Sequence, residues 1–175
     1  MTKNNFLFKT LFAVQIALLP IVIAVDLVKT LPLWAVSVCI AGVLLCKIWV
    51  EVFKDKNNKT HKIMALAGTV ATFAVLLFFL ANKGVIAMWL AILTFVLIVL
   101  FATLKVLLMN KVMPETIEAV DYCFNLFELL SLLAFTFAFY NITMTNIGLF
   151  AIILSTVVSV AYKVYYCIKY RVFHK

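Results

Sequence analysis

Four glycines and three prolines in 175 residues leave this chain few places at which a helix must break. That scarcity argues against the unwound, Gly- or Pro-interrupted helices on which many transporters build their sites, and predicts continuous helices. Arginine is nearly missing too, with Arg171 beside fourteen lysines. Bidentate phosphate recognition favours Arg, so the basic residues read as topogenic rather than ligand-reading. Only two histidines occur, His61 and His174, both outside the apolar runs, which leaves no Ser/His pair for catalysis. The four cysteines make no Cys-x-x-Cys and no zinc spacing. Cys39 and Cys46 lie inside one apolar run, Cys123 and Cys167 near helix ends, and all four are expected to be reduced packing residues. There is no intramembrane aspartyl pair, no Gly-rich phosphate loop and no basic-aromatic groove. No enzyme activity, cofactor, metal or nucleic-acid partner is therefore expected.

What the chain has is apolar sequence: 67% of it is hydrophobic and its mean hydropathy is +1.18, where a soluble domain is about 45–50% apolar. Apolar runs recur at the length needed for a hydrocarbon layer of about 30 Å. They predict an all-α, polytopic integral membrane helix bundle, residues 1–175 forming one membrane domain. Its six transmembrane helices are expected over about 6–28, 33–53, 63–81, 85–109, 120–140 and 147–168. The first run is too long for a signal peptide and no small-residue cleavage site follows it. Pro20 and Gln15 interrupt it, and Asp26 is placed to pair with Lys29.

Trp34 and Trp49 near the ends of the second run read as interfacial indoles. Lys47 and Glu51, one turn apart, can pair, with Lys47 snorkelling to the interface. The third run concentrates small residues, Ala65, Ala67, Gly68, Ala71, Thr72 and Ala74, and is expected at the bundle centre. Gly84 is placed for a positive φ in the turn that follows. Pro114 and Glu115 are expected to start a surface helix that runs into the fifth span. Ala151, Ser155 and Ser159 make a second close-packing face. Asn58-Lys59-Thr60 and Asn141-Ile142-Thr143 match the glycosylation sequon, weakly.

The most polar stretch is KDKNNKTHK, residues 54–62. Lys54, Lys56, Lys59, His61 and Lys62 form a candidate docking loop for anionic lipid or a cytoplasmic partner; the plainer reading is a topogenic loop with His61 solvated. The most informative stretch is 120–140. There Asp121, Asn125 and Glu128 fall at i, i+4 and i+7 and share one helix face. A carboxylate at the centre of a lipid-spanning helix costs about 2.5–3.5 kcal/mol on insertion scales, so Glu128 is expected to face protein or water. Lys47, Lys105 and Lys163, at ends of three other helices, are its candidate partners, and Gln15 completes a candidate intramembrane polar network. A structural ion-pair network and a cation or proton path are the two readings of that network.

Six spans put both termini on one side. That side receives thirteen basic residues and the other only Lys29 and Lys83, the split expected for cytoplasmic termini in a plasma membrane, most simply a bacterial inner membrane. The three outer turns are short, so the lipid bilayer and a membrane or cytoplasmic protein are the expected partners. Two functions follow. The first is a small non-enzymatic subunit that acts by homo-oligomerisation or by docking a cytoplasmic partner, as a pore, toxin-immunity or phage-defence component. The second is a small-solute carrier or a transporter's substrate-binding membrane subunit. Helix number, termini and length are similar, in topology only, to the substrate-binding subunits of energy-coupling vitamin transporters, though none of their helix motifs is clearly present.

Overall fold

The computed structural model describes residues 3–28, 32–111 and 114–170, with Lys3 and Asp26 described by backbone only. The Asp26–Lys29 pair and the tail from Arg171 to Lys175, with His174, lie outside the described residues. Six helices make up the fold: α1 Lys3–Leu27, α2 Leu33–Phe53, α3 Lys59–Asn82, α4 Met88–Leu107, α5 Glu115–Thr136 and α6 Ile142–Lys169. All six are long and apolar enough to cross a membrane. Even α4, the shortest at 20 residues, reaches about 30 Å at 1.5 Å per residue.

Several helix ends differ from the limits of the apolar runs, and the cause is capping. Asn58 Oδ1 accepts the N–H groups of Thr60 at 3.0 Å and His61 at 3.4 Å. Asn141 Oδ1 accepts from Thr143 N–H at 2.9 Å. Each asparagine satisfies orphan donors of a first turn, so α3 and α6 start before their apolar residues do. In both Asn-x-Thr sequences the asparagine is a helix cap. The α3 helix ends on Gly84, whose φ of 70° lets Gly84 N–H reach Ala81 O at 2.9 Å and Val85 N–H reach Leu80 O at 3.0 Å. That paired closure takes up Val85, and α4 therefore starts at Met88 rather than at 85. The α5 helix follows Pro114 directly and stops at Thr136, with residues 137–140 in turns.

The helices are neighbours in the order α1, α2, α5, α6, α4, α3 and back to α1, a closed ring in which α2 and α3 also touch across the interior. The ring divides into a triangle of α1, α2 and α3 and a wider circuit of α2, α5, α6, α4 and α3. Ile40, Phe73, Leu77, Ile98, Phe101, Phe124, Leu132, Phe135 and Ile152 fill the wider circuit as one apolar core. Phe73 meets Phe135 edge-on, ring centroids 6.3 Å apart. Phe8, Val50 and Ala65 form a smaller core inside the triangle.

The small-residue faces are turned partly inward, with Ala67 exposed and Ala71 and Ala74 half-buried. Ala65, Gly68 and Thr72 of α3 are buried, as are Ala151, Ser155 and Ser159 of α6. A Cβ on Gly148 would lie 3.0 Å from Ala134 Cβ and 3.0 Å from Phe135 Cε1, so α5 and α6 approach as closely as a bare backbone allows. The Ser131 hydroxyl lies 2.9 Å from Gly148 O and 2.8 Å from Phe127 O, bonding across the same contact. The outer surface carries Trp34, Trp49, Trp89, Val96, Leu100 and Phe150, apolar side chains suited to lipid.

Candidate functional site

In α2 the buried side chains Val36, Ile40, Val43, Lys47 and Val50 recur at steps of three and four, the stripe that faces the interior. Lys47 occupies a core position in that stripe and is 1% exposed, so it does not snorkel outward. Its counterpart on the inner stripe of α5, between Phe124 and Ser131, is Glu128, also 1% exposed. The ammonium of Lys47 lies 3.2 Å from Glu128 Oε1 and 3.4 Å from Glu51 Oε1. It also donates to Thr69 Oγ1 at 2.5 Å, and Thr69 Oγ1 in turn donates to Glu128 Oε1 at 2.8 Å. Lys47, Thr69 and Glu128 thus tie α2, α3 and α5 together across the ring, with every ammonium proton directed at an oxygen. Glu51 pairs further out with Lys54. This four-charge group is neutral as a set.

A second group lies about two turns along α5 from Glu128. Asp121 pairs directly with Lys163 of α6, which is 0% exposed, and lies 3.6 Å from Lys105 of α4. Both ammoniums lean on one ring, Lys163 at 4.7 Å and Lys105 at 5.3 Å from the centroid of Phe101. Phe101 itself stacks on Phe124 at 3.9 Å. An aromatic face attracts cations through its quadrupole. Two lysines therefore share one carboxylate and one ring, and this group carries an excess positive charge.

Between the two groups opens a cavity of about 610 Å³, entered from the end at which α2, α4 and α6 finish. Its lining includes five lysines, Lys54, Lys56, Lys62, Lys105 and Lys111, against three carboxylates, Glu51, Glu118 and Asp121. Phe101 and Phe124 form an apolar wall, and Thr69 links the lining to the Lys47–Glu128 bridge. The volume falls in the range of about 300–1,000 Å³ typical of small-molecule sites.

Of the residues singled out in the sequence, Lys47, Glu128, Asp121, Lys105 and Lys163 meet in these two ion-paired groups, and Asn125 lines the cavity. Gln15 lies apart. It is buried between α1 and α3, donates from Nε2 to Thr72 Oγ1 at 3.0 Å, and its Oε1 is buried with no hydrogen-bond partner among the described residues. The 54–62 stretch does not act as one loop, because α3 begins at Lys59. Lys54 turns in to Glu51, while Lys56, Lys59 and Lys62 are exposed. His61 is not a solvated loop side chain. It is buried, stacked on Phe8 with centroids 4.0 Å apart. Its Nδ1 accepts from Asp55 N–H at 3.2 Å, which leaves Nε2 to carry the hydrogen toward Asn5 Oδ1 at 2.9 Å.

Sequence reasoning passed over Thr69 and Phe101. The signal for Thr69 was its place on the inner stripe of α3 with His61, Ala65, Thr72 and Leu76. Phe101 gave no signal among sixteen phenylalanines. Chemically the site offers ammoniums, carboxylates and an aromatic wall; no group of three metal-ligating side chains occurs among the described residues. No protein-family model, curated protein or solved structure matches the chain, so its site is read from its own residues.

Proposed function

We propose that this protein is a small-solute-binding membrane protein, a carrier or a transporter's substrate-binding subunit. In this reading the cavity opens to the cytoplasm and the bilayer is a plasma membrane. One observation carries the reading: a cavity of about 610 Å³ enters the helix ring and is lined by polar and charged groups from α2, α3, α4 and α5. Polar surface inside a membrane bundle is expensive and marks solute or ion pathways. The orientation rests on the lysines, which concentrate at the cavity end.

The competing reading, a subunit that acts by assembling, rests on the scarcity of helix breakers, two small-residue faces and the short outer turns. Ala65, Gly68 and Thr72 of the first and Ala151, Ser155 and Ser159 of the second are buried, which favours packing inside the ring, while Ala67 is exposed and Ala71 and Ala74 are half-buried. Native mass spectrometry of the gently extracted protein separates the two readings. A monomer carrying a small bound mass is the expected result. A defined homo-oligomer, or a co-purifying protein with no bound small mass, would return the assembly reading to first place.

A further inference from the structure

The two charged groups around the cavity differ in balance. Lys47, Lys54, Glu51 and Glu128 neutralise one another, and Lys47 directs its protons at Glu128, Glu51 and Thr69. Among the described residues, Lys105 and Lys163 have Asp121 as the one carboxylate within ion-pair distance. Lys163 is fully buried, and Asp121 pairs with it directly, so the unmatched charge belongs to Lys105. Lys105 retains 29% of its side-chain surface, lines the cavity, and stands 3.6 Å from the shared carboxylate. Lys54 and Glu51, paired with each other, both line the cavity and are both near enough to act on Lys105 electrostatically, so across the two groups four lysines face three carboxylates. Lys56, Lys62 and Lys111 outnumber Glu118 at the rim, so the excess of positive charge continues to the entrance.

Charges of one sign in a low-dielectric bundle are stabilised by an opposite charge placed among them. Lysine, a point charge with three donors, suits phosphate without fixing its orientation. Building on the solute-binding reading above, we propose that the cavity binds a phosphate group, with Lys105 as its principal ligand. Asp121 is the positioning residue: it holds Lys105 and Lys163 to either side, while Phe101 supports both ammoniums from beneath. The cavity is far larger than a phosphate ion. The rest of the ligand is therefore either a small soluble ester's organic part or the glycerol end of an anionic lipid headgroup.

The test is thermal unfolding of the full chain in nanodiscs. In neutral phosphatidylcholine, inorganic phosphate at millimolar concentration is compared with chloride at equal ionic strength, which removes general screening. A Tm rise of about 2 °C or more with phosphate is expected by mass action if the group binds the folded protein. The rise should vanish in Lys105→Gln and persist in Lys105→Arg. Lys105→Gln leaves Asp121 and Lys163 as a balanced pair, and the phosphate shift is read against the variant's own Tm in chloride, so any change in its basal stability does not enter the comparison. A lipid source gives a different pattern: phosphatidylglycerol raises Tm over phosphatidylcholine, again only when residue 105 is cationic, while soluble phosphate has no effect. The proposal is overturned if neither phosphate nor phosphatidylglycerol stabilises the protein, or if the stabilisation survives Lys105→Gln. A small bound mass in the native spectrum together with that result would leave the solute-binding reading standing with a non-phosphate ligand; an empty monomer would remove both.

Discussion

Glu128 is the residue on which the interior most depends. It accepts from Lys47 and Thr69 at once, and so fixes α2 and α3 to α5 through one carboxylate. Glu128→Gln leaves Lys47 with Glu51 as its remaining carboxylate, and breaking a buried pair costs about 3–5 kcal/mol when one partner loses its charge. A loss toward the lower end is expected here, because Glu51 still compensates. Replacing both partners, Lys47→Met with Glu128→Leu, should recover most of it, since apolar residues of similar volume often substitute for a buried pair at little cost. Unfolding of the reconstituted protein by SDS titration measures both variants. A double variant as unstable as the single one would mean that the Lys47–Glu128 bridge is not what the substitution disturbs. The charges of this group were legible in the sequence because a carboxylate or lysine stands out in an apolar run. Their pairing was not legible, because which lysine reaches which acid depends on the order of helices around the ring.

Among the elements, α5 and α6 make the most extensive contact, and Gly148 packs against Ala134 and Phe135 within it. Gly148→Ala places a methyl 3.0 Å from Ala134 Cβ and from the Phe135 ring. Helix propensity alone would make this change favourable by about 1 kcal/mol. Overpacking of a dense interior costs about 1–3 kcal/mol and should win, with a lowered Tm as the readout. An unchanged or raised Tm would show that the two helices separate easily. At this scale hydropathy located all six helices, since lipid imposes length and apolarity on any span. It misplaced their ends wherever a cap decides. Asn58 and Asn141 extend α3 and α6 into polar sequence, and the closure at Gly84 delays α4. The inward stripes of α2 and α3 were legible in principle, since Lys47 and Thr69 follow the same three-and-four spacing as their apolar neighbours. His61 was not: besides the nearby Asp55 N–H, its partners are Phe8 and Asn5, more than fifty residues away.

For the whole molecule, the lysine distribution predicts how the ring sits in a membrane. Reporter fusions inserted at Asn57 and joined after Lys175 should both signal the cytoplasm, and an outer signal from either would invert or break the six-span topology. The ring order, by contrast, could not be read from the sequence. Three successive hairpins of similar length can be arranged in several ways, and only side-chain fit selects α2 beside α5 and α4 beside α6. That order bears on how the protein is made. The hairpin of α5 and α6 follows the first four helices in the chain, yet it fills the gap between α2 and α4. Without it the order α2, α1, α3, α4 is an open crescent in which Lys47 lacks Glu128 and Lys105 lacks Asp121. A chain that stops before residue 115 lacks both acids of α5, so Lys47 keeps Glu51 and Thr69 alone and Lys105 loses its ion pair.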